Sequence, residues 1–253
     1  MKISAADGAF EMNEKDLEAI GKVSKTELGQ LVSTQIGFWR WNNLVRTAEK
    51  FKKKCEEHKL DAESVAPKFL VPFLEGASLE DDGDLQDMWA SLLLSEVESS
   101  GSVAPRTLNA LKHMSKEEAL TFQSMFGSIF TLNDDCCLYR YSKDTQGMDD
   151  VITLADCGVL ASDNHLLHLT VNNSMAIEFP VVVSRSDSRA IFAHKGSEES
   201  MGVRIPVYVL SRAGKELFLA LHGDEKVDDL ERILSDLNSR GGGVKFSLGT
   251  FEG

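Results

Sequence analysis

With 253 residues, 42% of them apolar, the chain can bury one large or two modest hydrophobic cores, which excludes a disordered polypeptide. Its 27 Lys and Arg against 40 Asp and Glu give a formal net charge of -13, a balance that works against nonspecific attraction to nucleic-acid phosphates or anionic lipid. No apolar run approaches the roughly 18 residues of a membrane span, and MKISAADGAFEMNEKDL has neither the apolar region of a signal peptide nor the Arg-rich character of a transit peptide, so a cytoplasmic protein outside the membrane is expected.

In chain order, residues 1–30 read as an N-terminal arm with a thinly patterned helix at Glu14–Val23, between Gly8, Gly21 and Gly29. From Thr34 to about His58 the pattern strengthens into a long helix. Trp41, Leu44, Val45, Ala48, Phe51 and Cys55 are assigned to its buried stripe, with Phe38 and Trp39 near its start. Its later half is basic, with Arg46, Lys50, Lys52, Lys53, Lys54 and Lys59, and cations there complement the negative end of the helix dipole. A connector with Pro67 and Pro72 follows and holds a short helix anchored by Phe69, Leu70, Val71, Phe73 and Leu74.

The strongest pattern is Asp84–Phe122, which reads as three consecutive helices. Leu85, Met88, Trp89, Leu92 and Leu93 form the stripe of the first, and Asp84 can cap it. Gly101 breaks the chain, Pro105 opens the second helix over Leu108 and Leu111, and Ser115 with Glu118 forms a capping box for the third. After Leu132 glycine and β-branched residues rise, so a boundary is set near 131–148. A short helix at Asp149–Leu160 ends at Gly158. Strands follow at Leu166–Val171 and Met175–Val183, joined through Asn172-Asn173, then at Ala190–His194 and Arg204–Leu210. Helices at Arg212–Leu221 and Asp228–Leu237, a Gly241–Gly243 turn and a strand at Val244–Leu248 close the chain. The fold class is α+β: an N-terminal arm (1–30), a helical domain (31–132) and a winged-helix-like α/β domain (133–253).

Chemical motifs are scarce. His165 and His168 are three apart on a strand and so point to opposite faces, with no cluster completing a zinc set. Cys55, Cys136, Cys137 and Cys157 form no C-x-x-C pair and read as buried small hydrophobes; Asp134-Asp135-Cys136-Cys137 has no histidine spaced to activate a thiol. The triplet Gly241–Gly243 follows a helix and precedes a strand, the reverse of a phosphate cradle. Trp41 and Trp89 are placed in the core, with Trp39 undecided. No catalytic, cofactor-binding or metal-binding residue is therefore assigned. Between Glu75 and Glu98 stand eight acidic residues and no Lys or Arg. A solvated face explains most of that run, and Glu80, Asp81, Asp82 and Asp87 also suit a pairing surface for Lys50, Lys52, Lys53 and Lys54, within the chain or across a homodimer. The helix preceding the later strands is the one a winged helix would place on DNA, yet Asp144–Ser184 has no Lys or Arg against six acidic residues, so such a module suits protein better than DNA.

The segments FWRWNNLVRTAEKF, LEDDGDLQDMWASLLLSEV and PRTLNALKHMSKEEALTFQSM resemble the abortive-infection alpha (Abi-alpha) domain family and closely related uncharacterised bacterial domains. LADCGVL and VLSRAGKELFLAL are similar to the Gly-containing ends of those relatives, with Ser211 where Thr is commoner, so that the resemblance runs from Gly37 to Leu221. It implies a bacterial cytoplasmic protein linked to phage defence, supplies no catalytic residue to carry over, and makes Trp89 and Leu93 structural. The expected function is a non-enzymatic sensor, adaptor or regulator of a partner effector, with a protein partner or homo-oligomer. The alternative is a winged-helix nucleic-acid-binding regulator using the Lys50–Lys54 run, which the net charge disfavours.

Overall fold

The computed structural model describes residues 2–3, 10–11, 25–60, 65–132, 135–141, 148–161, 167–171, 180–183, 189–194, 203–222, 229–240 and 244–250. The helix expected at Glu14–Val23, Asp134, His165, the Asn172-Asn173 junction and Gly241–Gly243 lie outside these residues. Two compact units divide the chain, Met1–Glu98 and Ser99–Gly253. The fold is α+β, with helices alone dominating the first unit and an antiparallel sheet organising the second.

In the first unit the short strands β1 (Lys2–Ile3) and β2 (Phe10–Glu11) pair antiparallel. Helix α1 spans Lys25–His58, beginning nine residues before the expected Thr34, and Lys59 closes it with a positive φ of 55° while Leu60 N donates to Cys55 O. Helix α2 (Pro67–Ala77) starts where a proline costs nothing, because the N1 amide has no partner in any helix, and the extended Ala66 before it satisfies the preference of a pre-proline residue. Pro72 lies inside α2 and withdraws one helical donor, yet Phe69, Phe73, Gly76 and Ala77 still bury its face. Helix α3 (Gly83–Glu98) is capped by Asp82 rather than by the expected Asp84: Asp82 Oδ1 accepts from Asp84 N at 2.8 Å and from Leu85 N at 3.2 Å. Trp89 is fully buried and meets Phe73 edge-on, ring centroids 5.5 Å apart.

The side of α1 turned toward α3 departs in part from the expected stripe, of which Cys55 is buried as expected. Asn43, Thr47 and Cys55 are buried, whereas Trp41 is 63% exposed and Val45 37% exposed. Polar residues can occupy this interior because each is satisfied: Asn43 Nδ2 donates to Ser78 O at 3.0 Å, and Thr47 Oγ1 donates to Asn43 O at 3.0 Å. Of the apolar residues expected inside, Cys55 is buried and Leu44 and Phe51 are half-buried, while Trp41, Val45 and Ala48 face solvent.

In the second unit α4 (Pro105–His113) and α5 (Lys116–Ser124) lead through a 3-10 turn (Phe126–Ser128) into β3 (Ile129–Leu132) and β4 (Asp135–Tyr139). The Ser115 capping box forms in full, with Glu118 N donating to Ser115 Oγ at 3.2 Å and Ser115 N to Glu118 Oε2 at 2.6 Å. After α6 (Met148–Asp156) come β5 (Leu167–Val171), β6 (Pro180–Val183), β7 (Arg189–His194), β8 (Val203–Val209), α7 (Arg212–His222), α8 (Leu230–Ser239) and β9 (Lys245–Thr250). The strand order β5-β8-β4-β3-β6-β7-β9 is antiparallel throughout. Strands β5 and β6, neighbours in the chain, have β8, β4 and β3 between them in the sheet.

Helix α8 covers one sheet face through Leu230, Ile233 and Leu237, which share a core with Phe130, Tyr139, Ile191 and Phe246. Tyr139 OH donates to Asp236 Oδ2 at 2.8 Å, and Arg240 Nη2 donates to Arg140 O at 2.6 Å, tying α8 to β4 with polar groups satisfied. The boundary expected near 131–148 moves to the end of α3, because α4 and α5 build on α7. Glu216 Oε2 accepts from Ala104 N at 2.7 Å and from Thr107 Oγ1, and Phe126 stacks edge-on against both Phe122 and Phe218.

Candidate functional site

The acidic segment before and within α3 is largely engaged in its own unit. Glu80 Oε1 accepts from Asp82 N at 2.9 Å, Glu80 O accepts from Gln86 Nε2 at 2.9 Å, and Asp82 caps α3, so two of the four predicted acidic residues shape the turn. Burial raises the Glu80 carboxyl above its ordinary value, the backbone donors oppose the shift, and the neighbouring Asp81 and Asp82 charges add to it. Asp87 bridges to α1, with Lys54 Nζ 3.0 Å from Oδ2 and Lys50 Nζ 4.0 Å from Oδ1. Lys52 and Lys53 face Glu56 and Glu57 one turn on, at 3.9 and 3.8 Å. The structure thus brings Lys50, Lys54 and Asp87 together within one unit, places Asp81 at the surface, and balances Lys52 and Lys53 locally. These pairs are solvent-exposed enough to be worth about 0–1 kcal/mol each.

Cys55, Cys137 and Cys157 are shifted toward their protonated form. Cys136 and Cys137 are buried on β4; burial, reinforced by Asp135 and Cys136, pushes the Cys137 thiol up to about 12. Cys157 is pushed up to about 11 by burial and then by Glu118, and its Sγ donates to Thr153 O at 2.9 Å. Burial also raises Cys55, with Glu98 and Glu56 adding to the shift. A thiol in this state is a poor nucleophile at neutral pH. His168 falls on β5, and among the described residues no group of three or more His, Cys, Asp or Glu could hold a metal ion.

A shallow cleft of about 510 Å³ in the second unit gathers Arg106 and His113 from α4, Glu118 from α5, Cys157 after α6, and Ser211 and Arg212 at the start of α7. Its floor is a mutual lock between the ends of two helices. Gly158 leaves α6 with φ 77°, Ser211 Oγ donates to Gly158 O at 2.5 Å and accepts from Gly214 N at 3.0 Å, and Ser211 N donates to Val159 O at 2.8 Å. Arg212 Nε donates to Glu216 Oε1 at 2.7 Å. Ser211 Oγ, Gly214 N and Arg212 Nε at the α7 N-terminus are thus engaged within the fold.

The feature that sequence reasoning misplaced is the solvent face of α1. Leu31, Phe38, Trp41 and Val45 lie on one side of that helix, exposed by 48%, 64%, 63% and 37%, while Trp39 is half-buried. The signal was present in the seven-residue recurrence of Leu31, Phe38 and Val45; the error lay in assigning Trp41 and Val45 to the interior.

Fold and surface together define a mixed α+β protein whose most distinctive surface is an apolar helix face rather than a pocket lined by reactive groups. The chain belongs to the family described as "Protein of unknown function (DUF2806)", which matches residues 40–230. No curated protein and no solved structure matches it. Among the described residues no helix is long and apolar enough to cross a membrane.

Proposed function

We propose that the protein is a cytoplasmic, non-enzymatic interaction protein of phage defence by abortive infection, acting as sensor, adaptor or regulator of a partner effector. The observation that carries the interaction reading is the solvent face of α1, where Phe38 and Trp41 are each nearly two-thirds exposed. Large exposed aromatics in a stretch with few charges mark the centres of protein interfaces, where a few buried anchors supply most of the affinity. The link to defence is supported by the resemblance of the helical segments to Abi-alpha domains. The acidic turn Glu80–Asp87 is the weaker contact area, because Glu80, Asp82 and Asp87 already serve their own unit. Nucleic-acid binding through Lys50–Lys54 is likewise weaker, because Asp87, Glu56 and Glu57 balance that run.

The test is phage challenge of a bacterial host expressing the protein or its Phe38→Glu/Trp41→Glu variant, with circular dichroism confirming that the variant folds. Protection by the wild type and its loss in the variant is the expected result. Full protection by the folded variant overturns the interaction reading, and absence of protection by the wild type against a broad phage panel removes the defence assignment. Salt-dependent retardation of duplex DNA that disappears in Lys52→Glu/Lys53→Glu would transfer the assignment to nucleic-acid regulation.

A further inference from the structure

Helix α1 runs for 34 residues and has two dissimilar faces. One carries Asn43 and Thr47 into its own unit. The other, roughly half a turn away at 100° per residue, carries Leu31, Phe38 and Val45 at seven-residue intervals, with Thr34, Trp41 and Ala48 each three positions later. Alternating three- and four-residue spacing is the pattern of a coiled-coil seam, in which side chains of one helix seat between those of another.

The stretch around this seam is unusual for a solvent-facing helix. Charged residues make up 26% of the chain, yet Gln30–Val45 contains one, Arg40. A helix face that only meets water normally carries charges. A face that meets another protein loses them and gains Trp, Phe and Arg at its centre.

We infer that the partner of this face is a second copy of the chain, with the two α1 helices paired antiparallel about a two-fold axis near Trp39 and Arg40. The inference rests on the interaction reading above and names its partner. In that register Phe38 faces Trp41 of the second copy, Leu31 faces its Ala48 and Thr34 faces its Val45. Each layer then combines a larger with a smaller residue or two aromatics, and the seam is self-complementary as a two-fold interface must be. A parallel pairing would set Trp41 against Trp41 and Ala48 against Ala48, which leaves the seam uneven. It would also bring Lys52 and Lys53 beside their own copies, where like charges repel.

Area supports a pair of copies. Phe and Trp side chains offer about 150–250 Å² each, so burying the exposed parts of Phe38 and Trp41 from both copies removes on the order of 500 Å² of aromatic surface from water. Adding Leu31, Val45 and the flanking polar stems brings the seam near the ~1,200 Å² at which specific interfaces begin, which fits a reversible dimer. The nearly neutral stretch also lets two chains of net charge -13 approach along this face. A lipid surface fits less well, because helices that lie on membranes flank their apolar face with Lys and Arg, and Gln30–Val45 offers Arg40 alone.

The experiment is sedimentation velocity of the full chain over a concentration series, with oxidative cross-linking. The wild type shifts from monomer toward dimer as concentration rises. Phe38→Glu/Trp41→Glu and the milder Trp41→Ser weaken that dimer at least tenfold with an unchanged helical spectrum, whereas Val71→Ser, at an exposed apolar position on α2, leaves it intact. Leu31→Cys mixed with Ala48→Cys gives a disulfide-linked dimer, above the background of the native cysteines, and Leu31→Cys alone does not. A wild type that stays monomeric throughout overturns the second copy, as does a dimer indifferent to both seam variants. Self-linking of Leu31→Cys as efficient as the mixture overturns the antiparallel register. Retention on anionic phosphatidylserine vesicles that Trp41→Ser abolishes assigns the face to lipid instead. A monomeric wild type whose phage protection is still lost in Phe38→Glu/Trp41→Glu removes the dimer and leaves the interaction reading standing, while a seam-dependent dimer with protection unaffected does the reverse.

Discussion

Gly76→Ala should destabilise the first unit, although Ala is the better helix former. Gly76 lies in α2 beneath the Trp89 ring, and a Cβ built there would sit 2.2 Å from Cη2, 2.5 Å from Cζ2 and 3.1 Å from Cζ3. Ordinary carbon contacts lie at about 3.5–4.0 Å, so two ring atoms fall short by about an ångström or more. The ring cannot swing away, because Trp89 is fully buried and braced by Phe73. Gly to Ala inside a helix gains about 1 kcal/mol, while overpacking costs ~1–3 kcal/mol and occasionally more. A clash with a rigid, enclosed ring belongs at the upper end, so a net loss of about 1–2 kcal/mol is expected. For a unit of this size that lowers the melting midpoint by roughly 4–8 °C per kcal/mol. Urea denaturation followed at 222 nm is the assay, repeated in a Trp89→Phe background, where the outer ring atoms are gone. There the cost of Gly76→Ala should shrink by ~1 kcal/mol or more, a coupling that neighbouring side chains show and distant ones do not. A Gly76→Ala protein more stable than wild type, or an equal cost in both backgrounds, would refute the close approach of α2 to Trp89.

Glu216→Ala should cost the second unit about 2–4 kcal/mol in urea titration, because it strips acceptors from Ala104 N, Thr107 Oγ1 and Arg212 at one partly buried point; unchanged stability would remove Glu216 as the tie between α4 and α7. Alkaline pH should weaken the fold. Cys137 rises from 9.0 to about 12 and Cys157 to about 11, with Tyr139 also raised above 10.0 by burial and by its hydrogen bond to Asp236, so the folded state keeps protons that the unfolded chain gives up. That contribution is complete below about pH 9 and falls as pH climbs toward 12. The urea midpoint should drop over that window, and less so in Cys137→Val; equal slopes in both proteins would refute a buried thiol at that position.

Local punctuation was the most legible part of the fold. Pro105, Gly101, Gly158 and the Ser115–Glu118 box each act as their chemistry demands, because proline, left-handed backbone and capping are decided within a few residues. Pairing across the chain was much less legible. Strands β3 and β4 are too short, at four and five residues, for their sequence to show a period, and only the ladder from Ile129↔Leu138 to Leu132↔Asp135 defines them. Strands β5 and β6 follow one another in sequence, yet the sheet inserts three strands between them, a choice made by nonlocal packing.

Helix α1 shows why the candidate site was harder still. Periodicity identifies an apolar face but does not say what that face meets. Here the side that enters the unit is partly polar and made tolerable by Asn43 donating to Ser78 O, a partner 35 residues away that no local pattern announces. Phe38 and Trp41 stand exposed on the other side. The motifs behind the resemblance point the same way. LADCGVL and VLSRAGKELFLAL lock α6 to α7: a Cβ on Gly214 would lie 2.0 Å from Val159 O, and Ser211 supplies the hydroxyl that a threonine would also supply. Residues with such tasks specify the fold, so the proposed partner has to be sought in other residues. The family match takes in Trp41, Val45 and Ala48 and begins after Leu31, Thr34 and Phe38, so half of the proposed seam lies within it.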